Sequence, residues 1–285
     1  MALRYFLIIG LCIASVSCDK GVDPEPVNYY PMSAGDSWTY AGIDSEYNFR
    51  PTIPGASHDS PPRRWIHRVT DLGIQTLPDS TRAWRFQSAE STFSYGATID
   101  QYYRFEHDTL KFVAYSGSSS VLPKGSPQFA YLFRGQRLGT IAELTAPFRL
   151  DMHVPSSHQS EIVLLGIPGR VLLFPLKVHR MWSYSTEGAS FYPIWKKIVG
   201  TETVKTPAGS FFCFKIQWMF DFDNDGAWDS YIQQFDFVCA KGVVKRVLNL
   251  KDITIADSQH PGGFGKIDVT STKIVNMLNI HNTNE

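Results

Sequence analysis

Past residue 17 the chain has no apolar run long enough to cross a bilayer, which takes about 20 residues, so no part of the mature protein reads as a membrane span. It has no charge of one sign to spare, with 27 Lys and Arg against 27 Asp and Glu. Nucleic-acid binding needs a positive field. The nearest thing to a basic cluster is Arg63-Arg64, so nucleic acid is not expected as a partner. Helical periodicity is weak everywhere; only 136–146 carries the pattern for a turn or two. Motifs that announce chemistry are also missing: there is no Gly-x-Ser-x-Gly, no His-Glu-x-x-His and no Cys-x-x-Cys. Pro261-Gly262-Gly263-Phe264-Gly265-Lys266 lacks the spacing of a phosphate loop and reads as a turn. No catalytic residue is assigned, and the chain reads more as a non-enzyme than as an enzyme.

What is present points to an all-β fold. Hydrophobic residues make up 43% of the chain and aromatics 14%, the latter mixed with frequent Val, Ile and Thr. Such side chains suit a pleated, half-buried surface. Short runs alternating polar and apolar recur at 37–42, 64–70, 82–88, 101–106, 110–115, 161–165, 171–174, 211–220, 231–239, 243–250 and 266–277. In one of them Phe212, Phe214, Ile216, Trp218 and Phe220 fall on one side, with Lys215 and Gln217 on the other. His107-Asp108-Thr109 reads as a tight hairpin, and 50–62 and 116–128 as long surface loops.

The first residues decide the compartment. Met-Ala-Leu-Arg precedes an apolar run from Tyr5 to Val16 and a small-residue exit, the layout of a signal peptide over 1–17. Ser15-Val16-Ser17-Cys18 is similar to a lipobox, in which the cysteine is diacylated and becomes the new N-terminus. The same Ser-Val-Ser also fits ordinary cleavage, which would free the protein. Residues 18–28, rich in Asp, Pro and Glu, suit a tether. The expectation is an exported protein held to a bacterial membrane by lipid on Cys18, in the periplasm or at the cell surface.

An internal echo suggests that the single β domain, 29–280, contains two related units at 29–116 and 173–250. Tyr30-Pro31-Met32, Ala34 and Trp38-Thr39-Tyr40 recur with the same spacing as Phe174-Pro175-Leu176, Val178 and Trp182-Ser183-Tyr184. Trp65, Val69 and Thr76 find counterparts in Trp195, Val199 and Thr206. These segments, with Pro207-Ala208-Gly209-Ser210-Phe211 and Gly242-Val243-Val244-Lys245, resemble a pattern in uncharacterised bacterial lipoproteins. There a Tyr-Pro-Leu-x-x-Gly-x-x-Trp-x-Tyr segment follows the tether. His179 and Val244 stand where that pattern has Gly. The resemblance implies a curved, mostly antiparallel sheet, half-barrel or sandwich-like, and implies no activity. Its shape is similar to that of periplasmic lipoprotein carriers, whose half-barrels hold acyl chains.

Two clusters are candidates for chemistry. Asp221, Asp223 and Asp225 alternate, Gly226 follows, and the Ala227 carbonyl and Asp229 complete five or six oxygens. That is the opening of a calcium loop. Position twelve is Ile232 rather than Glu, so it is no EF-hand, and an acidic hairpin turn is the alternative. Cys213 and Cys239 flank this hairpin, and an exported chain permits a disulfide between them. Cys213 lies on the polar phase of its strand while Cys239 shares the phase of Phe235 and Phe237, which a bulge would reconcile. Otherwise the two are buried thiols. His153 and His158 form a loose cluster on a loop. The favoured function is a non-catalytic envelope protein with a binding or structural role. Its partners would be the membrane and a small ligand, a glycan or an envelope protein. The alternatives are a carbohydrate-binding module and a hydrolase of envelope or extracellular polymers.

Overall fold

The structure is a computed structural model that describes residues 30–92, 98–117, 129–149, 161–184 and 192–280. The signal peptide, Cys18, the tether, His153 and His158 lie outside the described residues. Strands β1 (Ser37–Pro51), β2 (Arg63–Thr76), β3 (Arg82–Glu90), β4 (Ile99–Glu106) and β5 (Thr109–Gly117) come first. The short β6 (Ala130–Phe133), β7 (Gln136–Leu138) and helix α1 (Ile141–Arg149) follow. Then come β8 (Val163–Leu173), β9 (Met181–Ser183), β10 (Ile194–Thr206) and β11 (Gly209–Phe220). β12 (Ile232–Cys239), β13 (Gly242–Ala256) and β14 (Gly265–Asn279) complete the chain.

All strands pair antiparallel in one sheet, ordered β8-β5-β4-β3-β2-β1-β14-β13-β12-β11-β10-β9. Read from β1, that is chain order with only β6 and β7 set aside, so the meander bends round until β14 pairs with β1. The two edge strands then meet. Arg170 N donates to Tyr184 O (2.6 Å), Trp182 Nε1 to Arg170 O (2.9 Å), and Lys196 Nζ to Val171 O (3.0 Å). The antiparallel sheet is as the sequence implies. It curls past a half-barrel, nearly closing into a barrel, which sets against each other the two edges that an open sheet must protect.

Local chemistry explains the turns. His107 takes a positive φ of 55° between β4 and β5, where a two-residue hairpin turn demands it. Between β10 and β11, the Thr206 hydroxyl accepts from Ala208 N (3.1 Å) and donates to Gly209 O (3.1 Å). Strand β1 runs on well past Gly42 because Gly42 is a contact and not a stop. A Cβ there would lie 2.1 Å from Cε2 of Trp65, so only glycine lets the indole lie across the strand.

Helix α1 plugs one end of the barrel. Thr140 caps it, its Oγ1 accepting from Glu143 N (3.1 Å) while Glu143 Oε2 accepts from Gly139 N (2.6 Å), close to a capping box. Leu144 and Phe148 are buried and join a core cluster with Trp218, Phe220, Leu248 and Leu250. Each such side chain contributes about 1.5–3 kcal/mol on full burial. Toward the other end, Trp38, Tyr40, Phe86, Leu110, Phe214 and Val238 form further clusters. The apolar packing is therefore split into two parts along the barrel.

Candidate binding site

Between those parts the inner face turns polar. The strand registers make one inward row of Ile198, Ile216, Asp236, Arg246, Lys273, Gly42 and Trp65, each opposite the next. Directly opposed side chains share a face and touch, so the charges of β12, β13 and β14 are neighbours. A parallel row carries Lys196, Trp218, Gln234, Leu248, Ser271 and Asp44. Lys196, Asp236, Arg246, Lys273 and His67 are all buried.

Asp236 and Arg246 form the centre of this layer. Arg246 Nε donates to Asp236 Oδ1 (2.5 Å) and Nη2 to Oδ2 (2.8 Å), while Trp218 Nε1 donates to Oδ2 (2.7 Å). Burial alone would push the Asp236 carboxyl up. The Arg246 guanidinium, with Lys196 and the Trp218 hydrogen bond, outweighs it and holds the carboxyl below the usual range. Removing one member of such a buried pair costs about 3–5 kcal/mol, because the other charge is left in a poor solvent. Arg246 Nη1 also donates to Phe148 O (2.9 Å), joined there by Gln234 Nε2 (3.3 Å). A helix end leaves its last carbonyls without intrahelical donors, and here the barrel wall supplies them. Lys196 Nζ stands 3.5 Å from the Trp218 ring centroid, a cation–π contact. Lys273 Nζ lies 5.0 Å from that of Tyr40.

The space these groups enclose is a cavity of about 70 Å³, walled also by Trp38, Tyr40, Phe86, Tyr103 and Leu110 and reached by His67 and Gln101. A concave, mostly apolar site with a few convergent polar groups is the usual form of a small-molecule pocket. It offers charge, hydrogen-bond donors and aromatic faces together. Asp236 is committed to Arg246 and Trp218.

The acidic hairpin between β11 and β12 gathers three of its predicted ligands. Carboxylate oxygens of Asp221, Asp223 and Asp225 lie within 4.8 Å of one another, near enough for one cation to touch all three. Asp221 is buried and accepts from Asp225 N (3.1 Å) and Gly226 N (3.0 Å). Asp229 stands outside the group, with Oδ2 accepting from Phe222 N (2.8 Å). Ala227 is tied into the loop by its N–H, which donates to Asp225 Oδ1 (2.8 Å).

Cys213 and Cys239 are free thiols, both buried. The register that sets Phe214 against Val238 brings Cys213 opposite Cys239 one step further on. Cys213 Sγ donates to Phe211 O (3.3 Å) and Cys239 Sγ accepts from Lys241 N (3.3 Å), and the neighbouring thiol pushes Cys213 up and Cys239 down. No bulge between β11 and β12 is needed to unite them. Phe235 and Phe237 lie on the outer face with Lys215, whose Nζ is 4.7 Å from the Phe235 centroid, so the two cysteines share a phase.

Trp38, Trp65, Trp182 and Trp218 are buried, whereas Trp228 is 46% exposed and tilted against Trp195. No short motif marks the cavity residues, but the alternation of their strands does. Lys196 interrupts the apolar phase of Ile194 and Ile198, Arg246 that of Val244 and Leu248, and Asp236 precedes Val238 on its phase. An ionic side chain at an inward position is what marks them.

No family model matches the chain, and no curated protein matches it in sequence. Among solved structures it is similar to a protein of Bacteroides fragilis NCTC 9343 given as exported and as having a YmcC-like fold. The two share 10% identity and a TM-score of 0.41, over 89% of this chain and 99% of that one. It is also similar to a protein of Parabacteroides distasonis ATCC 8503 given as a lipoprotein, at 12% identity and a TM-score of 0.37, over 90% of this chain and 100% of that one.

Proposed function

We propose that this is a non-catalytic, lipid-anchored protein of the bacterial cell envelope whose barrel serves as a binding module. The cavity walled by Lys196, Arg246, Lys273 and aromatic rings carries the reading. A purely structural barrel would fill this layer with apolar side chains, which pack at least as stably as buried ion pairs. The commitment of both Asp236 oxygens to Arg246 and Trp218 favours binding over proton transfer. Trp38, Trp65, Trp182 and Trp218 are buried, and the exposed Trp228 meets Trp195 at 59°, so an outer stacking platform for sugars is the weaker reading.

The anchor rests on the signal peptide and on Cys18. Acyl chains contribute about 0.8 kcal/mol per buried methylene, so stable attachment takes more than one chain. Cys18→Ala should yield an unacylated chain, uncut or cut without lipid, that moves to the soluble phase of a detergent extraction. A variant that stays membrane-bound after correct cleavage would remove the lipid reading.

A further inference from the structure

We infer that Cys213 and Cys239 form a cross-strand disulfide in the exported protein, made while β11 and β12 are pairing and then buried as the sheet closes. The inference rests on the reading of the chain as exported and is independent of the lipid and of the cavity.

Register brings the two residues together. The β11–β12 ladder runs from Trp218 opposite Gln234 to Phe214 opposite Val238, and the next step sets Cys213 against Cys239. Opposed residues of an antiparallel pair have Cα atoms about 4.5 or 5.5 Å apart, and a disulfide spans about 4.4–6.8 Å. Both side chains belong to one buried cluster with Val204, Val244 and Val275. In this structure both sulfurs are thiols, and each shifts the acidity of the other, as sulfurs side by side do. Oxidation removes the S–H that Cys213 gives to Phe211 O and leaves Cys239 Sγ able to accept from Lys241 N.

The inventory points the same way. Of four cysteines, Cys12 leaves with the leader and Cys18 carries the proposed lipid. The two that remain stand on facing positions of neighbouring strands. Buried thiols serving as small apolar side chains have no reason to face each other, whereas a facing pair in an oxidising compartment is held as a disulfide.

The oxidant is a second disulfide, R–S–S–R, of the thiol-oxidoreductase or small-thiol class. One cysteine thiolate attacks it and releases R–SH. The other thiolate then attacks the mixed disulfide and releases the second R–SH. Two cysteine S–H bonds and the R–S–S–R bond are lost; one protein S–S bond and two R–S–H bonds form, and two electrons pass to the donor. Cys213 is 0% and Cys239 7% exposed, so the exchange belongs to the open strand pair and not to the finished barrel. For the same reason a reductant reaches the bond only when the barrel opens. The bond ties the end of the β11–β12 pair away from the acidic hairpin and clamps the strands that present Trp218 and Asp236 to the cavity.

The test uses the full chain, expressed with its leader and recovered from the envelope of the expressing bacterium. The chain is denatured in N-ethylmaleimide and read by intact mass and peptide mapping. Without reductant Cys213 and Cys239 should take no label and should appear in one linked peptide pair; after reductant both should be labelled. Labelling of both without reductant overturns the bond, and a link from either residue to Cys18 overturns the pairing. The same chain, reduced and refolded in a glutathione redox buffer, should close the same bond; failure there overturns the geometry whatever the compartment. An uncleaved leader with a bond that closes on refolding overturns the export reading and not the pairing. Refolded in reductant, the protein should melt about 5–10 °C below its oxidised form, and Cys213→Ser with Cys239→Ser should melt alike with and without reductant. Equal melting of oxidised and reduced wild type overturns the clamp. The wild-type labelling decides the bond even where the double variant folds poorly.

Discussion

Asp71 is a buried carboxyl group whose two oxygens are in unequal company. Oδ1 accepts from Gly73 N (2.7 Å), while Oδ2 is buried with no hydrogen-bond partner among the described residues. Burial, and after it the nearby Asp36 charge, push this carboxyl from 3.8 up to about 6. The folded chain holds the proton more tightly than the unfolded chain. Its contribution to stability is therefore full below 3.8 and is lost as pH rises through about 6. Two units correspond to about 3 kcal/mol at most. Asp71→Asn keeps an acceptor for Gly73 and removes the charge, so it should flatten the fall in stability between pH 4 and 7 and raise stability at pH 8. Denaturant midpoints for both chains across that range check this; parallel curves would sink it. The residue was legible in one respect only. Trp65, His67, Val69 and Asp71 share a phase in β2, so a carboxylate on the inward side could be read from alternation. The proximity of Asp36 could not, because it depends on how β1 begins beside the β2 bulge.

Elements were more legible than sites. Period-2 alternation located most strands, because one face of each is buried and the other wet. Strand β10 escaped notice as a run because Lys196 and Lys197 put a charge on each face, one inside the barrel and one outside. The helix begins later than the sequence pattern suggests. Gln136–Leu138 pairs with β6 as a strand, and the Thr140 cap starts α1 only at Ile141, a Thr-x-x-Glu signal visible in the sequence. The acidic hairpin was legible as a motif, since its ligands lie close together along the chain. Which oxygens converge was not: the backbone of the turn takes up one Asp229 oxygen. Without a cation, Asp221, Asp223 and Asp225 repel one another across less than 4.8 Å. Millimolar calcium should therefore raise the melting temperature, and magnesium, which demands an octahedral shell, should raise it much less. Asp223→Asn with Asp225→Asn should abolish the response and leave the metal-free fold at least as stable. A melting curve indifferent to calcium would reduce the hairpin to a turn.

For the molecule as a whole, what alternation could not supply was closure. Twelve strands follow one another round the ring in chain order, and all but one of the junctions are registered antiparallel ladders. The exception is the seam between β8 and the short β9, where Arg170 N reaches Tyr184 O and side chains do much of the joining. Trp38 and Trp182, paired in the sequence echo, sit on β1 and β9, six strands apart on this ring, both buried and both donating Nε1 to a carbonyl. The echo does not extend to Trp65 and Trp195, since Trp65 faces inward and Trp195 meets Trp228 at the surface. The two buried tryptophans do different jobs: Trp38 Nε1 bonds Lys241 O at the β12–β13 turn (2.8 Å), whereas Trp182 Nε1 bonds Arg170 O across the seam (2.9 Å). Trp182→Phe and Trp38→Phe each delete one such donor and keep most of the apolar bulk, so each should cost about 1–2 kcal/mol. Their patterns of opening should differ, because local unfolding follows the weakest set of contacts. Hydrogen exchange at Arg170 and Phe174, whose amides bond Tyr184 O and Asp108 O, should quicken in Trp182→Phe and not in Trp38→Phe. The β13–β14 ladder, paired from Lys245–Ile274 to Ile255–Gly265, should keep its protection in both. Equal quickening at the seam in the two variants, or earlier loss of β13–β14, would mean that the barrel opens as a unit and that the seam is no weaker than the ladders around it.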